Sequence, residues 1–285
     1  SGGTESYAAT TLLESVLEAC IDLKINFVFA DDFGADAQSA NNFSLATFCA
    51  ETSKYKPQLY VAGYDTVADF ENSKAVAAYY NNDSVTVVHG GIQKITKTGT
   101  KLYNAMYKAA AFLGREAGLE PQVPITFKNI DIDGEQHPLS DKEAKQALAA
   151  GLLVSRNEGG SFDIIKGVNS LQTNTFILND DGTTHSKQLK RIARQMNGEI
   201  ITNAKAQLFK QPFGVNRNTL TEKDVESFAI EYLRSRKATP TTDNLILNFS
   251  DIVVTRQADA YFLTYKFTPN GEIAYLFSTG AIIGI

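Results

Sequence analysis

Asp31 and Asp32 follow the apolar run Ile25-Asn26-Phe27-Val28-Phe29, and His89-Gly90-Gly91 follows Ser84-Val85-Thr86-Val87-Val88. In an open parallel sheet, ligands bind beyond the carboxyl ends of the strands, so carboxylates and an imidazole there could hold a divalent ion and activate water for hydrolysis. A plainer reading stays open: acidic residues and glycines end strands because they solvate the backbone and permit positive φ. A second pattern is Lys187, Lys190, Arg191 and Arg194, spaced i, i+3, i+4 and i+7 opposite Leu189 and Ile192, so that one helix presents a continuous cationic face. Such a face is either simply solvated or docks on an acidic partner surface, which for an acidic protein includes another copy of itself.

Other chemistries find no support. Neither Gly-x-x-x-x-Gly-Lys-Ser/Thr nor Gly-x-Gly-x-x-Gly stands on a strand-to-helix turn, so no nucleotide or other cofactor is expected. There is no Gly-x-Ser-x-Gly nucleophile elbow, and Cys20 and Cys49 fall on apolar helix faces where a thiol is inert packing. His137 precedes Pro138 and His185 lies among Thr and Ser, neither with a partner at metal-ligand spacing. The ending Ile282-Ile283-Gly284-Ile285 is β-prone. It must either pair within its own sheet or join a neighbour's.

Hydrophobic periods give the elements that position these residues. Leu12, Leu13, Val16, Leu17 and Cys20 share a helical face and precede the strand at 25–29. A helix over 42–52 precedes a strand at 58–62, a helix over 67–80 precedes the strand at 84–88, and a further helix covers 102–116 before Gly118. Strands separated by helix-length segments need crossovers, so this half reads as a parallel α/β sheet with helices on its faces. After Pro121 and Pro124 the texture changes. Ser140 and Glu143 form a capping box, residues 152–165 read as a hairpin around Gly159-Gly160, and a stripe from Leu189 to Met196 is stopped by Gly198. Thr221 and Asp224 cap a helix with Val225, Phe228, Ala229, Tyr232 and Leu233 on one face, and Pro269-Asn270-Gly271 marks a hairpin turn. The expected architecture is an α/β domain over residues 1–127 and an α+β domain with a mainly antiparallel sheet over 128–285.

Composition narrows the function. The chain has 285 residues, 43% apolar and 21% charged, with a net charge of −5, enough to bury a substantial core and too apolar for disorder. Two cysteines and three histidines cannot build a disulfide scaffold or a Cys-rich zinc module. The acidic balance gives no general attraction to nucleic acid, and no apolar run reaches the roughly 18 residues that span a bilayer. Ser1-Gly2-Gly3, without Met, reads as a linker or a cut, and a fragment or processed product is the expectation.

The middle of the chain resembles a known family. Ala109-Ala110-Ala111-Phe112-Leu113-Gly114-Arg115-Glu116-Ala117-Gly118-Leu119, a Pro-containing loop, Leu139-Ser140-Asp141, Ala150-Gly151-Leu152-Leu153-Val154 and Ile164-Ile165-Lys166-Gly167-Val168-Asn169-Ser170-Leu171 follow the signature order of contractile-tail sheath proteins. The segments from Asp251 to Val254 and from Tyr265 to Ile273 resemble that family's closing strands. The departures are an absent upstream region and the lack of the Trp and Arg often found after the Gly-Val-Asn strand.

The resemblance implies a non-enzymatic structural subunit of a bacteriophage tail or related injection machine. It would form helical arrays of like subunits around a tail tube, above a baseplate, and contract to drive the tube through the host envelope. It would reside in the virion tail, and in the host cytoplasm during assembly. Neither nucleic acid nor membrane insertion enters. Residues 1–127 would be the sheath's middle domain and 128–285 its C-terminal domain. In the family, terminal arms add strands to neighbouring subunits, so Tyr275, Phe277, Ile282, Ile283 and Ile285 become candidate interface residues alongside the four cations.

Overall fold

The computed structural model describes residues 10–53, 55–172, 184–209, 220–239, 244–257 and 260–270. Its centre is a four-stranded parallel sheet formed by β1 (Phe27–Phe33), β2 (Gln58–Ala62), β3 (Val85–Val88) and β8 (Leu152–Leu153), in the order β1-β2-β3-β8. Helices α1 (Thr10–Cys20), α2 (Ala40–Thr47), α3 (Phe70–Tyr80), α4 (Ala105–Ala117) and α5 (Asp141–Ala149) surround it. Every residue of β2 and β3 is buried, as continuous apolar strands covered on both faces require.

Alternation along β2 divides the core in two. Leu59 and Val61 join Val76 and Ala77 of α3, Ala46 of α2 and Ala147 of α5. Tyr60 and Ala62 turn the other way, onto Ala105, Ala109 and Phe112 of α4. Each fully buried Leu or Val side chain contributes about 1.5–3 kcal/mol.

Two small antiparallel sheets flank this body. The first is β6 (Asn129–Ile130), β10 (Ser161–Ile164) and β9 (Ser155–Glu158); the second is β5 (Gly99–Tyr103), β4 (Ile92–Thr96) and β7 (Gly134–Glu135). A third core lies under α6 (Lys187–Ala204), α7 (Glu222–Ser235) and the ribbon of β11 (Ile246–Gln257) with β12 (Ala260–Pro269), built on Ile192, Met196, Ile200, Phe228, Leu233 and Ile246. The capping boxes at Ser140/Glu143 and Thr221/Asp224 are both present, each side-chain cap contributing about 1 kcal/mol. The architecture is thus a parallel α/β sheet followed by helices and antiparallel strands, as the sequence implied.

Three local expectations are corrected. The helix expected from residue 102 begins at Ala105 behind the cap of Asn104, because residues 92–103 form the β4–β5 hairpin. Leu152 and Leu153 leave the expected hairpin and pair in parallel with Val87 and Val88, the sheet drawing its fourth strand from beyond residue 127 because that slot is buried on both faces. Gly198 does not stop α6, which runs to Ala204 with Ile200 continuing the stripe four residues after Met196; one glycine costs a helix only about 1 kcal/mol. β12 ends at Pro269, opposite Ile246, and the turn expected at Pro269-Asn270-Gly271 runs on outside the described residues.

Candidate functional site

The cationic helix α6 is enclosed on both sides. Its apolar stripe meets the ribbon core, and its opposite face lies on the α/β body, so the four cations do not form one continuous solvated face. Lys187 is fully buried. Its Nζ donates to Gln58 Oε1 at 2.8 Å and to Thr86 Oγ1 at 2.5 Å, and lies 3.1 Å from Glu116 Oε2. It also stands 4.3 Å from the centre of the Tyr60 ring, within cation–π range. Tyr60 in turn donates its hydroxyl to Glu116.

The other three cations also point into the chain. Lys190 Nζ pairs with Asp83 Oδ2 at 2.6 Å. Arg191 Nη2 donates to Leu119 O at 2.6 Å, and its Nε lies 3.7 Å from Glu116 Oε1. Arg194 donates from Nε to Tyr55 O at 3.2 Å and from Nη2 to Asn26 O at 3.3 Å. Burial dominates the electrostatics. It pulls the Lys187 ammonium down to about 8 against the attraction of Glu116, and the Arg194 guanidinium down to about 10. It pushes the Tyr60 phenol well above its usual range, with the Glu116 carboxylate adding to the rise.

The acceptor side of this seam was not recognised in the sequence, although a signal was there. Glu116 follows Phe112 by four residues and Ala109 by seven, which puts a carboxylate on the buried stripe of α4, and such a carboxylate requires a cation. A second buried pair, Lys108 Nζ with Glu135 Oε1 at 2.6 Å, ties α4 to β7, and Ser155 of β9 donates to the same oxygen.

The candidate hydrolytic residues are not assembled. Asp31 lies on β1, and Asp32 Oδ2 accepts from Ser39 Oγ, the cap of α2, at 2.7 Å. His89 follows β3, two strand spacings from β1 in the sheet order, roughly 9–10 Å. His89 is buried, with Nδ1 2.8 Å from Ser73 Oγ, which also accepts from Tyr64 N at 2.9 Å. Ser73 Oγ and His89 Nδ1 share one hydrogen bond, whose direction follows the imidazole tautomer, while Nε2 has no hydrogen-bond partner among the described residues. Burial lowers this imidazole to about 4. No group of three His, Cys, Asp or Glu able to hold a metal occurs among the described residues. No described helix is long and apolar enough to cross a membrane. Tyr275, Phe277, Ile282, Ile283 and Ile285 lie outside the described residues.

No family model matches the sequence, and neither does any curated protein. Solved structures do. The sheath tail protein of Desulfitobacterium hafniense aligns with a TM-score of 0.62 at 16% identity, over 93% of this chain and 58% of that one. The sheath tail protein of Listeria innocua aligns with a TM-score of 0.63 at 15% identity, over 93% of this chain and 61% of that one. The sheath of an extracellular contractile injection system in its contracted state aligns at 0.56 and 7% identity, over 84% of this chain and 68% of that one. The chain spans about three-fifths of the first two proteins. The seam around α6 thus lies inside an architecture that, over most of its length, is the fold of contractile-tail sheath proteins.

Proposed function

We propose that this chain is a structural, non-catalytic subunit, or part of one, of a contractile phage tail or injection-machine sheath. It packs with copies of itself in a helical array around a tail tube and above a baseplate, and contraction of that array drives the tube through the host envelope. The protein belongs to the virion tail and assembles in the host cytoplasm. The observation that carries this reading is the sheath fold over nine-tenths of the chain.

Two features of the molecule fit it. A sheath stores energy as a difference between two packings of the same subunits, so each subunit must move as one stiff piece while its contacts are remade. The seam of Lys187, Glu116 and Tyr60 binds α6 to the sheet body and supplies that stiffness. The β11–β12 ribbon, with Val253 and Phe262 half exposed, has only two strands among the described residues, and a two-stranded ribbon gains stability when further strands join it. The ending around Tyr275, Phe277, Ile282, Ile283 and Ile285 would supply such a strand to a neighbour.

The test is to express the full-length gene product together with a tube protein from the same source and examine the particles by negative-stain electron microscopy. Helical tubes are expected. A product that stays monomeric with its tube protein, across salt and concentration, overturns the reading.

A further inference from the structure

Between the α/β body and α6 lies a cleft of about 410 Å³, with Lys24 and Tyr55 on one wall and Arg191, Arg194, Glu199 and Arg236 on the other. Four cations therefore face one carboxylate in a chain whose overall charge is −5. That carboxylate is already engaged. Glu199 Oε2 accepts from Arg236 Nη2 at 2.6 Å and from the Tyr232 hydroxyl at 2.9 Å, and Oε1 accepts from Gln195. Arg191 finds its counter-charge in Glu116, outside the cleft lining.

Arg236 is paired with Glu199, whereas Lys24 and Arg194 have no ion pair among the described residues. Arg194 donates only to neutral main-chain carbonyls, those of Tyr55 and Asn26, among its described partners. The Nε of Arg236 is enclosed and has no acceptor among the described residues. Lys24 is exposed at the rim. A guanidinium whose hydrogen bonds go only to main-chain carbonyls, in a site where burial disfavours its charge and Glu116 attracts it only at a distance, gains most from an arriving carboxylate, because a charge-assisted bidentate bond is about twice as strong as a neutral one.

We propose that this cleft receives carboxylate side chains from a second copy of the chain. Charge complementarity identifies the occupant. The surface outside the cleft carries the acidic excess and repels polyanions at long range, yet it offers exposed carboxylates such as Glu14 and Glu18, one helical turn apart on α1, and Glu226 and Glu231 on α7. A basic recess on one copy meeting an acidic helix on the next is a heterologous contact, which propagates into rings or helices. The inference rests on the sheath reading only in taking the partner to be another copy.

The test uses the full-length chain, mixed from light and nitrogen-15 copies and treated with a water-soluble carbodiimide, which joins an amine to a carboxylate only in direct contact. Mass spectrometry should find Lys24 of one isotope class linked to an Asp or Glu of the other. Lys24→Glu should weaken self-association at least tenfold with an unchanged unfolding midpoint, while Lys142→Glu, outside the cleft lining, leaves association as it is. Tubes that form at full affinity with Lys24→Glu and give no mixed link overturn the cleft and leave the sheath reading standing. Mixed links in a particle that is not tubular uphold the cleft and overturn the sheath. Citrate that stabilises dispersed copies, with assembly indifferent to Lys24→Glu, makes this a small-anion site and overturns the second-copy occupant. Persistent monomers overturn both.

Discussion

Lys187 Nζ lies 3.1 Å from Glu116 Oε2, and both residues sit at the end of their helix that disfavours their charge. Lys187 opens α6 at the positive end of its dipole, and Glu116 stands in the last turn of α4 at the negative end. Each helix alone repels the charge it carries. The pair is stable because the two ends meet, which fixes α6 against the sheet body with an orientation that apolar packing alone would leave loose.

Removing the carboxylate should be worse than removing the lysine, and removing both should cost less than the sum. Glu116→Leu leaves Lys187 and Arg191 without their buried counter-charge and should cost about 3–5 kcal/mol, while Lys187→Met leaves Glu116 with Arg191 3.7 Å away and costs less; the double variant still leaves Arg191 without a carboxylate. Urea unfolding of the two single variants and the double variant measures the coupling. Additive losses would show that the charges act independently.

Acid should weaken the fold through His89. Burial lowers its imidazole from 6.5 to about 4, so between those pH values the unfolded chain holds a proton that the native state refuses. Stability then rises with pH across that window and falls as pH drops from 6.5 to 4, by about 3 kcal/mol at 1.36 kcal/mol per unit. His89→Gln should flatten the profile of unfolding free energy against pH in this window. Lys187 acts in the same direction higher up, its native value of about 8 lying below 10.5, so its contribution rises with pH between the two. An unchanged slope in His89→Gln would remove the assignment.

Glycine matters at Gly151 in a way it does not at Gly160. Both have positive φ, +78° and +97°, but an added methyl at Gly151 would sit 2.7 Å from Asn169 O and 2.9 Å from Ser170 Cα, while nothing lies within 4 Å at Gly160. Gly151→Ala should cost about 3 kcal/mol from left-handed strain and overpacking together. Gly160→Ala carries only the strain, about 1 kcal/mol. Thermal unfolding of the two variants side by side checks the difference.

Ending the chain at Asn270 should separate folding from assembly. The far-UV circular dichroism and urea midpoint of the shortened protein are expected to match those of the parent, while tube formation with the tube protein is lost. Tubes that still form would show that the last fifteen residues give no strand to a neighbour.

The sequence was readable where one period dominates. Val225, Phe228, Ala229, Tyr232 and Leu233 repeat cleanly behind a capping box, and α7 stands where they place it. Residues 58–62 and 84–88 form continuous apolar runs, and both are strands of the parallel sheet. It was unreadable where polar residues are internal. Spacing placed Lys187, Lys190, Arg191 and Arg194 together correctly, but periodicity reports only that one face differs from the other. Which face meets another part of the chain depends on Glu116 and Asp83, far away in sequence, and in α6 both faces do. The β4–β5 hairpin was hidden for the opposite reason: Ile95 and Leu102 are exposed, so their apolar character says nothing about a core. The separation of Asp32 from His89 likewise depends on strand order, with β2 between β1 and β3, which no local pattern encodes.

The enclosure of Lys187 and Glu116 has a further consequence. Mobile ions act over a Debye length in solvent, about 8 Å at physiological ionic strength, and they cannot enter a seam whose members are 0% and 1% exposed. Concentrated sodium chloride should therefore weaken any charged contact between molecules while the seam inside each molecule stays closed, so that brine separates what lies between subunits from what lies within them.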